Sequence, residues 1–445
     1  MSARRRIGSI QSVRLCPVLL VAILLLGSVP SGCRRSPGPV TVTFLDPEGL
    51  PDLGRRRLPT DTALEEFTHE TGIRVNHLPA PEDNREHFLL VRKLLQERVS
   101  TPDVYGIDCI WSGALSDYLV DLSPYLPSEL PSQVPDILSS YMVGGKLVAM
   151  PYHPNVGVLY YRTDLLLKYG YSTPPRTWNE LERMAVRIEK GERAQGEKDF
   201  WGFVWPGSIS EGFTSTALEW QASAGGGRII ESDRTISINN PNAMRAWDRA
   251  AHWIGWISPP SVLAYEEWDA SNAFWISGRA AFTRGWSDYL LLRSREVPFR
   301  DRAGMTSVPG EKNVRVSTFG GFSLGVSRSS AHKPEAIRLV QFLARREAQV
   351  EASRPRSEML KPSQIFEAPR ILSNLYPTLD MPGSVPGAEV VERPSTLTGA
   401  NYDAVSLAYV RALHPVLAGQ AKSPAAVAAL EKELVRITGF EPAPK

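Results

Sequence analysis

Hydrophobic and polar positions follow two alternating rhythms along the chain, with periods of two and of about 3.6. Val40–Leu45 (VTVTFL) alternates with period two and predicts a strand. Thr62-Ala-Leu-Glu65 has capping-box spacing, and Leu64 and Phe67 share a helical face, so a helix is predicted that ends at Gly72. Ile73–Leu78 is extended, and His87–Arg98 is helical, with Phe88, Val91 and Leu95 on one side. Val104–Ile107 then leads to Asp108. A strand, a helix and a strand in that order predict parallel pairing.

The same rhythm continues downstream. Leu147–Met150, Gly157–Tyr161, Ile236–Ile238, Ala280–Thr283 and Phe322–Val326 read as strands. Thr177-Trp-Asn-Glu180 is a second capping box, opening a helix to about Lys190. Asn240-Pro241 caps a helix carrying Ala243, Trp247, Ala250 and Ile254, with Pro in the first turn. Lys333–Arg346, Tyr402–Leu417 and Pro424–Ile437 are the remaining helices, and Pro124–Pro135 and Asn374–Ala388 read as surface loops. The fold class is α/β.

The N-terminal pattern differs. Arg4, Arg5, Arg6 and Arg14 precede the apolar run Val18–Leu26, and small residues follow to Cys33. This is the layout of a secretory signal peptide over residues 1–32. The run is too short to span a bilayer, which takes about 20 apolar residues. Ser31-Gly32-Cys33 resembles the end of a bacterial lipobox, with Pro30 where the motif usually has Leu. Cys33 is therefore the expected lipidation site, and 33–39 the tether.

Composition refines this picture. The 445 residues are 42% hydrophobic and 22% charged, as suits a globular chain rather than a disordered or polytopic membrane one. Loss of residues 1–32 removes four Arg and no acid, so the formal charge moves from +2 to −2 and no nucleic-acid partner is expected. The three Cys cannot build a disulfide framework, and the seven His contain no HExxH pair, so neither a metal nor a cofactor is expected. All 11 Trp lie between Trp111 and Trp286, which points to core packing or an aromatic cleft mid-chain.

An ordered set of segments carries a resemblance. These are Asp108-Cys-Ile-Trp111 with Leu119–Leu126, Lys146–Pro151 with Gly157–Leu165, and Pro175–Trp178. They continue with Trp201–Trp205, Glu211, Ala217–Trp220, Gly278–Phe282, Trp286, Gly320–Gly325, Arg393-Pro394 and Tyr402. Together they resemble the solute-binding proteins of sugar ABC importers, in the maltose- and trehalose-binding branch. The resemblance implies a two-lobed periplasmic-binding-protein fold (type II), three hinge crossings and ligand in the cleft. It places the crossings near Tyr152–Val156, Thr283–Trp286 and Thr318–Phe322. The N-lobe would then be 40–152 and 285–319, and the C-lobe 153–284 and 320–445.

The resemblance also implies roles. Asp108 matches a cleft carboxylate, Glu48 an N-terminal cleft Glu, and Glu211 an acid entering from the C-lobe. Trp286 matches a stacking aromatic, Phe322 replaces a second one after Gly320 and Gly321, and Arg393 matches an Arg that reaches the sugar. His153 and Asn155 stand where relatives carry Tyr and Asp, and Ser287-Asp288 where they carry Pro-Tyr, so the sugar itself is left open. The expected partners are a small-molecule sugar such as trehalose or maltose, the permease subunits and the membrane through the lipid anchor. The receptor is expected to be an exported monomer.

The same residues admit other classes. Gly321-Phe-Ser323-Leu-Gly325 matches the nucleophile-elbow spacing, but no helix follows at once, as an elbow requires. Asp108 and Glu211 could serve a glycoside hydrolase as paired carboxylates. A lipoprotein scaffold would need no cleft at all. The binding reading implies no enzymatic activity.

Overall fold

Two sheets share a pair of long strands, and that sharing organises the molecule. The computed structural model describes residues 38–47, 59–81, 83–126, 135–287, 302–311, 314–345, 365–367 and 388–444. The signal peptide, Cys33 and Glu48 lie outside the described residues, as do 127–134 and 374–387 of the two expected loops.

The chain begins with β1 (Thr41–Asp46), α1 (Pro59–Thr71), β2 (Arg74–Pro79), α2 (Asn84–Gln96) and β3 (Val104–Asp108). β1 pairs in parallel with both β2 and β3, as the strand–helix–strand order predicts. α1 starts at Pro59, ahead of the expected box at Thr62, because a proline suits the first helical turn. α2 is capped by Asp83, whose carboxylate accepts from Glu86 N at 2.8 Å.

A small hairpin of β4 (Met142–Val143) and β5 (Lys146–Leu147) precedes β6 (Met150–Arg162). Next come α3 (Trp178–Ala194), β7 (Trp201–Val204), α4 (Glu211–Ser223), α5 (Pro241–Trp253), α6 (Glu267–Trp275) and β8 (Ala280–Trp286). They are followed by β9 (Ala303–Ser307), β10 (Arg315–Val326), α7 (Lys333–Leu343), β11 (Ile365–Glu367), β12 (Ala388–Val391), α8 (Tyr402–Leu417) and α9 (Ser423–Thr438). The Thr177–Glu180 capping box forms as predicted, and Asn240 caps α5. Ile236–Ile238 does not form the expected strand. Its Ile236 makes one isolated bridge to Pro442, and both isoleucines are buried.

The first sheet runs β2-β1-β3, then the end of β10, then the start of β6. The second is built on the end of β6, flanked by β8 and β9, with β7 on β8 and β11 on β9. β12 pairs with the start of β10 at Arg315–Thr318. β6 and β10 therefore each pass from one sheet to the other. They pair with each other at the passage, where Val156 faces Phe319, Asn155 faces Gly320 and His153 faces Phe322.

This pairing corrects the expected lobe allotment. β8 lies wholly in the second sheet, so Thr283–Trp286 is not a crossing. Within 285–319, expected in the N-lobe, β9 pairs with Val158–Arg162 of the second sheet. Within 320–445, expected in the C-lobe, Phe322–Val326 pairs with β3, and α7 meets α1 through Phe342 and Phe67, ring centroids 5.4 Å apart. The physical reason is that the chain crosses inside β10, at Gly320–Gly321. The next described segment after α7 is β11, which pairs with β9 in the second sheet.

The core divides into two clusters, the first of which also takes in Val158, Tyr160 and Met305 of the second sheet. Phe44, Phe67, Val91, Leu324 and Leu339 belong to the first. Trp205, Trp220, Trp247 and Trp253 belong to the second, where Trp220 meets Trp205 and Trp253 edge to face at 4.9 and 5.4 Å. Most of the tryptophan excess is thus core packing. Ser323 is buried in β10 and donates to Ile107 O at 3.1 Å, so its glycine-flanked motif is a strand interior and not an elbow.

Candidate solute-binding cleft

The carboxyl ends of parallel strands collect ligands because the loops beyond them can vary without disturbing the sheet. Asp108 closes β3 in that position. Its Oδ1 accepts from Ile110 N at 3.2 Å, which caps the short helical turn that follows, and its Oδ2 accepts from Asn84 Nδ2 at 3.1 Å. Across the ladder Asp108 faces Phe322, and Phe322 faces His153, so three of the expected residues form one row. The His153 ring lies 3.8 Å from that of Tyr152.

The next row is built on absent side chains. A Cβ on Gly320 would stand 2.6 Å from Asn155 Oδ1 and 2.7 Å from Trp286 Cζ3. Gly321 adopts φ +102°, and a Cβ there would stand 2.2 Å from His153 O. Just beyond, the register of β6 and β10 shifts between Phe322 and Ser323, as at a bulge that bends a strand near a site. Glycines at these two positions let Trp286 and the crossover strands come together.

Trp286 ends β8 opposite Gly157 and is 8% exposed. Its Nε1 donates to Glu267 Oε1 at 2.8 Å, and the guanidinium carbon of Arg284 lies 4.0 Å from its ring centroid. Arg284 in turn grips buried Glu219 through Nε at 3.1 Å and Nη2 at 2.8 Å. Glu219 Oε1 also accepts from Thr318 N at 3.1 Å and from Thr318 Oγ1 at 2.6 Å.

Glu211 and Arg393 meet at the start of α4. Arg393 Nη1 donates to Glu211 Oε1 at 2.8 Å, and Nη2 donates to Phe319 O at 3.1 Å and to Cys109 Sγ at 3.3 Å. Glu211 accepts further from Tyr402 and from Ser406 Oγ at 2.6 Å. Burial raises the Glu211 pKa, and Arg393, Ser406 and Tyr402 offset only part of that rise. Arg393 is 7% exposed and engaged within the protein, so here it acts as an ion-pair partner that links α4 to the β10 crossover.

The structure thus brings Asp108, His153, Asn155, Glu211, Trp286, Gly320, Gly321, Phe322 and Arg393 to one junction. Sequence reasoning missed several of their supports. His87 on α2 lies buried against Trp111, ring centroids 4.8 Å apart, and 6.3 Å from Phe322. Burial pushes its pKa down to about 4, so the ring is neutral at pH 7. Glu219, Glu267 and Arg284 were also passed over. A charged residue inside the apolar runs ALEW and AAFTRGW was the available signal, since a buried charge demands a partner.

Two α/β sheets sharing crossover strands, with the candidate residues at the shared segment, define a two-lobed receptor of the periplasmic-binding-protein class. The chain belongs to the bacterial extracellular solute-binding proteins, whose family model matches residues 95–350. That family supplies substrate-binding components of transport rather than enzymes. A probable ABC transporter-binding protein of Deinococcus radiodurans is 36% identical over 382 residues, spanning 84% of this chain and 89% of that protein. A maltose-bound MalE3 structure from T. maritima is 29% identical with a TM-score of 0.71, covering 89% of this chain and 100% of that one. The GacH receptor of Streptomyces glaucescens, solved unliganded and with acarbose, shares the fold at TM-score 0.71 and 20% identity, covering 91% of this chain and 99% of that one.

Proposed function

We propose that this chain is the receptor of a carbohydrate importer and captures a neutral oligosaccharide, in the first place a disaccharide such as maltose or trehalose. One observation carries this reading: Trp286 and Phe322 flank Gly320–Gly321 at the crossover, beside Asp108 and Asn155. A pyranose has apolar C–H faces that pack on aromatic rings and a hydroxyl rim that needs donors and acceptors. This junction offers both. The maltose-bound T. maritima relative supports the choice of sugar.

In this mechanism ligand bridges the two lobes and favours the closed state over the open one. Closure excludes water and strengthens each polar contact. No bond is made or broken, and incubation with disaccharides is expected to release no monosaccharide. The lobes divide at Pro154–Gly157 of β6 and Phe319–Gly321 of β10. Cys33 anchors a monomeric, exported receptor that hands its sugar to the permease subunits.

The test is a thermal-shift panel of mono- and disaccharides with calorimetry on the hits. A ligand at a hundredfold excess over Kd should stabilise the folded chain by about 2.7 kcal/mol. A flat panel would overturn the sugar reading. Separately, Cys33→Ser should move the full-length chain from the membrane fraction to the soluble exported fraction. Retention on the membrane would refute the lipid anchor.

A further inference from the structure

The ring on which sugar stacking depends is held from three sides, two of them by residues outside the ligand set. An indole on a strand end can turn about two side-chain torsions, and a stacking surface is useful only if that turn is prevented. The Trp286 N–H is donated to Glu267 Oε1 at 2.8 Å, which fixes one edge. The Arg284 guanidinium, 4.0 Å from the ring centroid, covers one face. Gly320 admits the far edge, because any Cβ there would stand 2.7 Å from Cζ3.

Each hold is itself anchored. Arg284 cannot swing away, because buried Glu219 binds it through two nitrogens at 2.8 and 3.1 Å. Glu219 Oε1 takes both the N–H and the hydroxyl of Thr318, two residues before Gly320. Glu267 packs against Gly212, where a Cβ would stand 2.5 Å from Glu267 Cγ. Ring, crossover strand and the start of α4 are thereby tied through two carboxylates.

We propose that Glu267 and Arg284 are positioning residues that set the plane of the Trp286 indole, and that Glu219 couples that plane to the β10 crossover. This rests on the sugar-binding reading, since it gives the ring's orientation a part in affinity. Glu267 offers the cleaner test, because its side chain is 34% exposed and its removal opens no core.

The experiment uses the full chain labelled with ¹⁵N-tryptophan, and maltose and trehalose as probes. The Trp286 indole N–H resonance is assigned by its disappearance in Trp286→Phe. Glu267→Ala should move that resonance without ligand and raise the Kd about tenfold, the scale of one lost hydrogen bond to a charged group. Glu267→Gln, which still accepts from the indole, should restore the Kd to near the wild-type value. An unmoved resonance in Glu267→Ala would overturn the clamp and leave the sugar reading standing. A moved resonance with an unchanged Kd would overturn the clamp's part in binding. Equal weakening by Gln and Ala would overturn the indole hydrogen bond as the cause and assign the effect to the charge of Glu267 beside Arg284 Nη1, 4.0 Å away. A wild-type chain that binds neither sugar would remove the affinity role, even if the resonance moves.

Discussion

Glu219→Ala should destabilise the folded chain by about 3–5 kcal/mol, the cost of stranding a buried charge. Arg284 would keep its place in a strand whose residues are all buried, with Glu219 gone from its Nε and Nη2 while Thr318 Oγ1 stays 3.0 Å from Nη2. Thr318 would lose the acceptor of both its N–H and its hydroxyl. Relief by inflowing water is restricted, since Arg284 and Glu219 side chains are only 2% and 1% exposed. Chemical denaturation monitored by far-UV circular dichroism measures the loss. A loss below about 1 kcal/mol would place the pair among solvated ion pairs and contradict its burial. Arg284→Ala tests the other side of the same contact, and the two losses should not add.

Trp286→Ala should abolish sugar-dependent stabilisation. Truncation of a central aromatic anchor typically costs 2 kcal/mol or more of binding. If Kd rises about a hundredfold, a ligand level that stabilises the wild type by about 2.7 kcal/mol would stabilise the variant by only about 0.4. The thermal-shift panel reads this directly. Trp256, which is partly exposed and packs on His252 beyond the end of α5, serves as the control. Trp256→Ala should keep the full shift. A full shift in Trp286→Ala would sink the stacking role.

Local signals made much of this fold legible. The alternation of Val40–Leu45 and the caps at Thr177 and Asn240 became a strand and two helices because each depends on neighbours a few residues away. The lobe allotment was not legible in this way. Whether Phe322–Val326 pairs with β3 or remains with β12's neighbours is decided by contacts more than 200 residues distant, as Ser323 and Ile107 show. Most site positions came through resemblance, and the structure gathers them. Their supports remained hidden for a physical reason. Glu267 reads as one acid in the run Glu266-Glu267-Trp268-Asp269, and only folding places it on the Trp286 indole.

The pairing of β6 with β10 at the passage between sheets has a mechanical consequence. A two-stranded ribbon flexes readily across its flat face, yet it resists bending within its own plane, where ladder hydrogen bonds would have to stretch. Asn155 opposite Gly320 and Pro154 opposite Gly321 form such a ribbon. Bending there acts as a leaf spring, with one soft direction and one stiff direction. If the chain works by the proposed closure, its lobes would swing along a single arc rather than wander, and that arc would bring Asp108 and Glu211 back to the same separation each time.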